Sequence, residues 1–344
     1  MTKTGDLDPH AQPPPHLRVL FKRWRTASVE DIHANNDLEI IDSLLIADDE
    51  RLFPSISSVQ RQSFMIHAFQ PFLHNDELPD NAQKSQFFEL KELPGLVIAP
   101  SVLSVPVQAV LLDKLFHRDC SNPQHNNNLT PFYDVPYQSL PKDAKHQPLS
   151  LFSINQNTQL QPKDPVLHKP LTIKQVLDKK LRWITLGGQY DWTNKQYPAE
   201  EPLDFPEDIA TFITNVFPEI EPQAAILNLY SPGDTLSLHR DVSEDCDQPL
   251  VSISMGCDAL FLVANEDGSK HAVIRIRSGD AVLMSGRSRY AWHAVPKVLA
   301  NTCPPDLRNW PAYPESNQAR FKQWTGWLTN KRINLNVRQM RTRT

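Results

Sequence analysis

Short apolar runs with a period of two dominate the second half of the chain. Ala224–Tyr230, Thr235–His239, Leu250–Met255, Ala259–Val263, His271–Ile276 and Ala281–Met284 each read as a β-strand. Ser231-Pro-Gly-Asp234, Gly256, Gly268, Gly279-Asp280 and Gly286 punctuate them. Many short strands separated by turn signals predict a sandwich or barrel. Arg332–Arg338 shows the cleanest alternation. Its even positions are Arg332, Asn334, Asn336 and Arg338, and its odd positions are Ile333, Leu335 and Val337. A strand there carries the polar set on one face and the apolar set on the other. Helical spacing appears over Leu17–Arg25, Ser104–Phe116, Leu171–Leu181 and Glu207–Phe217, with Ser104 as a candidate cap. Leu93–Ala99 and Arg182–Leu186 add two further strands. The pattern predicts a mostly β protein with flanking helices, an α+β arrangement.

Between these elements the chain is polar. Residues 1–15 are rich in proline and are expected to be disordered. Residues 26–90 mix polar loops with short apolar runs. Residues 120–170 are rich in proline and asparagine and predict a long mobile loop. A Pro- and Trp-containing insertion, 299–330, precedes the last strand. This divides the chain into a tail (1–15), an N-terminal helical and loop extension (16–180) and a C-terminal domain (181–344).

Composition narrows the class. With 344 residues, 40% hydrophobic and 22% charged, the chain resembles an ordinary soluble protein of one large or two smaller domains. Its net charge of −5 excludes a global field that recruits nucleic acid, although no acidic residue follows Glu315 and seven basic ones do (Arg320, Lys322, Lys331, Arg332, Arg338, Arg341 and Arg343). Four cysteines without Cys-x-x-Cys spacing argue against a zinc site or a disulfide framework and fit a reducing compartment. No apolar run has the length of a membrane span, and the N-terminus lacks the apolar core of a secretion signal. A nuclear or cytoplasmic location is expected.

His-x-Asp occurs three times: His74/Asp76, His117/Asp119 and His239/Asp241. Alone the pair is weak, because chance supplies it readily. The first two lie in polar, Pro- or Asn-rich surroundings that predict loops. His239 instead ends a predicted strand, and residues two apart on a strand share a face. His293, from a distant strand, could then complete a facial set of two imidazoles and one carboxylate, the ligand set of non-haem Fe(II) oxygenases. Such a set leaves three positions open, two for a bidentate 2-oxo acid and one for dioxygen. A dicarboxylate co-substrate needs buried cations, and arginine meets a carboxylate bidentately. The polar face of 332–338 supplies Arg332 and Arg338, and Asn228 and Tyr230 could donate to the same ligand. His-Arg-Asp also occurs in protein kinases, but Gln124 and Cys246 stand where the kinase loop needs asparagine, and no Asp-Phe-Gly is present.

Asn228-Leu-Tyr230, the Pro-Gly-Asp turn, Leu-Ser-Leu-His239-Arg-Asp241, Pro249–Gly256, Ser278-Gly-Asp280, Gly286-Arg-Ser-Arg289, His293 and Arg332-x-Asn334-x-x-x-Arg338 together resemble the AlkB family of Fe(II)/2-oxoglutarate dioxygenases. The likeness spans 224–338 in order. Leu181–Pro198, Leu93–Ile98 and the Leu17–Arg25 helix are similar to its eukaryotic AlkB homolog 1 branch.

The resemblance implies a double-stranded β-helix, or jelly roll, over 224–340, preceded by a nucleotide-recognition lid over 182–198. It implies Fe(2+) at His239, Asp241 and His293, and 2-oxoglutarate at Asn228, Tyr230, Arg332, Asn334 and Arg338, with O2 as the second co-substrate. It implies oxidative removal of N-methyl groups from nucleic acid, DNA or RNA, as formaldehyde. Tyr190, Trp192 and Tyr197 become candidates for stacking on an extruded base. Two departures affect the substrate: Ser243 stands where the bacterial pattern has a base-contacting Asp, and Gly188 stands where it has an aromatic. A protein (histone) hydroxylase or demethylase and a non-catalytic nucleic-acid-binding module on the same fold are the competing readings.

Overall fold

In the computed structural model, residues 7–35, 39–55, 86–137, 150–198 and 202–342 are described. The strands are β1 (Ile40–Asp42), β2 (Leu52–Pro54), β3 (Phe88–Leu90), β4 (Leu96–Ala99), β5 (Tyr133–Asp134), β6 (Gln159–Pro162), β7 (Leu171–Thr172) and β8 (Trp183–Gly187). They continue as β9 (Ala224–Tyr230), β10 (Leu236–His239), β11 (Leu250–Gly256), β12 (Ala259–Ala264), β13 (His271–Ile276), β14 (Ala281–Met284), β15 (Trp292–Val298) and β16 (Arg332–Arg338). The larger sheet has the order β2-β3-β4-β14-β11-β16-β9-β8, and the smaller β1-β13-β12-β15-β10. All their pairings are antiparallel except β1 with β13. This is the jelly-roll core.

Alternation within each strand sets what each face meets. In the larger sheet, Val251, Ile253, Leu335, Val337, Leu227 and Leu229 point to one side, into the main apolar cluster. Helices cover that side. After α1 (Pro15–Thr26) and α2 (Val29–Ala34) come α3 (Val105–Asp113) and α4 (Glu207–Val216). In α4 the residues Ile209, Phe212, Ile213 and Val216 recur at helical spacing and are fully buried, each contributing roughly 1.5–3 kcal/mol. α1 covers the outer face of the smaller sheet, where Trp24 joins Leu260, Leu262, Val273 and Ala294.

The space between the sheets has two halves. At one end Leu96, Ile98, Val282 and Met284 of the larger sheet meet Phe261, Val263 and Ile274 of the smaller in a single apolar cluster. At the other end the inward residues are polar: Ser252, Asn228, Arg332, Asn334, Asn336 and Arg338, facing His239 and His293. The apolar half fixes the sheet spacing, and the polar half is the site.

Several polar stretches are more ordered than their composition suggests. Residues 7–14, expected to be disordered, are placed, with Pro13 buried. Residues 120–137 and 150–170, expected to form a mobile loop, contribute buried Leu129, Leu151, Phe152 and Leu160 to the main cluster. Sparse, irregularly spaced apolar anchors hold them, which a periodicity argument does not detect. The 26–90 stretch supplies β1, β2 and β3, each only three residues long. The 299–330 insertion is core: Trp310, Phe321, Trp324 and Trp327 pack in the main cluster. His117 and Asp119 lie in a π-helical extension of α3, Lys114–Asp119, and not in a loop. There His117 stacks on Phe321 at 4.5 Å, and Asp119 pairs with Arg118. His74/Asp76 lie outside the described residues. Ser104 takes the N-cap position of α3, but its side chain makes no capping hydrogen bond. Among the described residues no helix is long and apolar enough to cross a membrane.

Candidate active site

β10 and β15 pair antiparallel with His239 opposite His293. Asp241 lies just past the end of β10, so the chain's exit from the sheet, and not a shared strand face, turns its carboxylate toward the imidazoles. The rings are 4.2 Å apart at their centroids. Each Nδ1 meets a backbone carbonyl two residues back: Ser237 O at 2.9 Å for His239 and Ala291 O at 3.0 Å for His293. A carbonyl only accepts, so each Nδ1 carries the proton and each Nε2 keeps a free lone pair. The two Nε2 atoms lie 3.7 and 3.8 Å from the Asp241 carboxylate, and one ligand atom from each residue falls within 4.8 Å of the others.

The electrostatics suit a divalent cation. Burial alone would raise the Asp241 pKa, but Arg338 and the two imidazoles outweigh it and hold the carboxyl well below its usual range. Burial, with His239 close by, pushes the His293 pKa down to about 4. At neutral pH His293 is therefore a neutral imidazole and Asp241 a carboxylate, and with the Nε2 of His239 they make a donor set that fits Fe(II).

A buried ionic network holds Asp241 from behind. Arg338 Nη2 donates to Asp241 Oδ2 at 2.9 Å, and Arg338 Nη1 lies 3.3 Å from Glu244. Arg289 donates to the Asp241 carbonyl at 2.8 Å, to Glu244 at 2.8 Å and to the Gln248 carbonyl at 2.7 Å. Asn336 adds a longer contact to Asp241 at 3.4 Å.

Arg332 is in the opposite condition. Nη2 donates to Ser254 Oγ at 2.9 Å, but Nε and Nη1 are buried without a partner. Its guanidinium carbon lies 5.4 Å from the Tyr230 ring centroid, and burial lowers its pKa. Buried donors on a cation are costly unless something accepts from them. A carboxylate matches that deficit, so the residues fit 2-oxoglutarate with Arg332 at its distal carboxylate. Asn334 Nδ2 is fixed by Ser252 Oγ at 2.8 Å, and Asn228 stands opposite it in register.

The family model for the 2OG-Fe(II) oxygenase superfamily matches residues 137–338. A protein of Pyricularia oryzae named N6-methyladenosine RNA demethylase ALKB1 is 43% identical over 98% of this chain and 98% of its own. The Cryphonectria parasitica protein named N6-methyladenosine RNA demethylase ALKBH is 53% identical over 61% of this chain and 97% of its own. The Schizosaccharomyces pombe tRNA demethylase abh1 is 39% identical over 75% and 83%. The chain belongs to the AlkB family of Fe(II)/2-oxoglutarate-dependent dioxygenases. Its jelly roll is the fold the sequence motifs imply, and the structure brings His239, Asp241 and His293 together.

In this AlkB-family enzyme a cavity of about 430 Å³ joins the metal set to the loop that follows β8. Asn228, Arg332, Asn334 and Arg338 line it, whereas Tyr230 sits behind Arg332. Of the three aromatics expected to stack on a base, Tyr190 and Trp192 line the cavity and Tyr197 does not. Tyr197 packs edge-on against Tyr190 at 5.2 Å as a prop. Trp192 rests on Trp183 at 4.9 Å and remains 45% exposed, so a face is left for a ligand. Ser243 lines the cavity, with its hydroxyl 3.2 Å from Tyr190 Oη and donating to the Lys195 carbonyl at 2.9 Å. A side chain at Gly188 would have to displace Met340, because a Cβ there would lie 2.1 Å from its Sδ.

Sequence reasoning gave no role to Glu244, Arg289, Ser252, Ser254 or Lys195. Two of these had a signal. Ser252 and Ser254 alternate within an otherwise apolar strand, as a polar patch on one face would. Glu244 and Arg289 are 45 residues apart, and only the fold joins them.

Proposed function

We propose that this enzyme oxidatively demethylates N-methylated bases in nucleic acid, DNA or tRNA among them, releasing formaldehyde, succinate and CO2. The carrying observation is one continuous cavity that runs from the His239/Asp241/His293 set and the unpartnered donors of Arg332 to the aromatic pair Tyr190 and Trp192. The relatives named as RNA and tRNA demethylases support this reading.

Bound Fe(II) and 2-oxoglutarate supply the oxidising chemistry with O2. The chain's own residues bind, orient and exclude water. His239 and His293 present Nε2, and Asp241 presents the anion. Arg332 takes the distal carboxylate of the co-substrate on donors that have no other acceptor. Arg338 and Arg289 keep the Asp241 backbone and carboxylate in place. Phe261, Leu236 and Val295 make part of the lining apolar, which limits water beside the reacting carbon. Tyr190 and Trp192 flank the mouth, where an unstacked base can lie against a ring.

The test is incubation with total tRNA, methylated DNA and methylated RNA oligonucleotides, with a methylated histone-tail peptide alongside, followed by mass spectrometry. Loss of a methyl mark from a nucleobase, with matching succinate and formaldehyde, is expected. Turnover on the peptide alone would overturn the proposal.

A further inference from the structure

The segment before α1 crosses the mouth of the site. Pro9 lines the same cavity as the metal set. From there the segment is tied down at two places. Its far end is anchored: Ala11 packs on Leu17, Ala264 and Trp292, beside Leu238, and Trp292 and Leu238 each precede a metal-ligand histidine in the chain. His16 seats against the β12–β13 turn so closely that a Cβ on Gly268 would lie 2.4 Å from its Nε2. Its near end depends on one side chain of the lid loop. Lys195 Nζ donates to the Pro9 carbonyl at 3.2 Å and lies 3.1 Å from His10 Nδ1. An ammonium has no acceptor, so that imidazole nitrogen accepts.

Lys195 is unusual in two further respects. Its backbone is left-handed, at φ +52°, a conformation that costs a non-glycine residue roughly 1–2 kcal/mol and persists only where contacts enforce it. Those contacts are the strap bonds on its side chain and the Ser243 hydroxyl on its carbonyl. Among the described residues no carboxylate lies within ion-pair distance of its ammonium, and the cavity's one acidic residue, Asp241, belongs to the metal set.

We propose that residues 7–14 form a strap that builds one wall of the substrate mouth, and that Lys195 is the positioning residue that latches it to the lid loop. The connection runs from strap to Lys195, from its carbonyl to Ser243, and from Ser243 to Tyr190, so the strap and the base-facing aromatic are held by one chain of bonds. The strap narrows the mouth beside Lys195 and helps select a single extruded nucleotide. This deepens the proposed function and rests on it for its kinetic part only.

Three full-length variants test it: Lys195→Ala, Lys195→Arg and Lys195→Gly. Glycine adopts the left-handed backbone without strain, so it removes the latch while leaving the loop at ease. Two measurements are made, hydrogen exchange at the amides of His10, Ala11, Asp191 and Gln196, and KM against kcat on a methylated oligonucleotide. Lys195→Ala and Lys195→Gly should speed exchange at the strap and lid amides together. Both should raise KM about tenfold, with kcat within about twofold, as expected for loss of a charge-assisted bond. Lys195→Arg should restore both. Unchanged exchange at His10 and Ala11 in Lys195→Gly would overturn the strap. Faster exchange in a protein that turns over no methylated nucleic acid would keep the strap and remove the demethylase reading.

Discussion

His239 and His293 are register partners across the β10–β15 pair, and each is locked by a bond from Nδ1 to a carbonyl two residues before it. The sheet thus presets both ring tautomers, and Asp241 is the one anion that completes the set. Asp241→Ala and His293→Ala should each abolish iron retention and 2-oxoglutarate turnover. Metal content measured alongside succinate production checks this, and full activity with iron still bound in either variant would refute the metal assignment.

Arg332 carries a prediction of opposite sign for stability and affinity. Its buried, unpartnered donors cost the free protein stability. Arg332→Met should therefore leave the melting temperature without 2-oxoglutarate equal to or above that of the parent. The rise that 2-oxoglutarate produces should disappear, and its KM should increase about 30- to 100-fold, the loss of roughly 2–3 kcal/mol from a charged pair. Differential scanning calorimetry with and without the co-substrate reads both effects.

Glu244 is fully buried between Arg289 and Arg338 and touches neither metal set nor cavity. Glu244→Gln leaves the buried Arg289 without an anion and Arg338 with Asp241 alone, and should cost roughly 3–5 kcal/mol. A urea titration followed by circular dichroism would show the lowered midpoint, and an unchanged midpoint would contradict the ionic network.

Lys331 gives a pH dependence. Burial, only partly opposed by Asp178 and Asp234, lowers its pKa from the ordinary 10.5 to about 8 in the folded protein. Between those values the unfolded chain binds more protons, so stability rises as pH rises from about 8 toward 10.5. Lys331→Met should remove that rise. Urea midpoints at two pH values within the window, compared between parent and variant, test the sign.

The sequence made β16 fully legible, because seven residues of strict alternation admit one reading as a strand. His239 and Asp241 were legible as a chemical pair, although the carboxylate reaches the metal set past the strand end. What stayed hidden has physical causes. β1, β2 and β3 are three residues each, too short for a period to register. The π-helical turn at His117 is held by Phe321 and Trp310, some 200 residues away, so local composition pointed to a loop. The Glu244–Arg289 pair and the strap depend on contacts that no spacing encodes. Lys331 was seen only as part of a basic C-terminal end, yet it turns inward and is buried.

β16 serves two masters with one set of seven residues. Its odd positions are fully buried in the main apolar cluster, and its even positions furnish the polar half of the inter-sheet space. A slip of one residue in its pairing with β9 and β11 would exchange the faces, driving two guanidinium groups and two amides into a helix-covered apolar layer while Ile333, Leu335 and Val337 took over the cofactor's place. A register slip in this strand would therefore be inactive and misfolded at once. An insertion or deletion between Gly326 and Lys331 offers no intermediate phenotype, and the catalytic apparatus is proofread by folding itself.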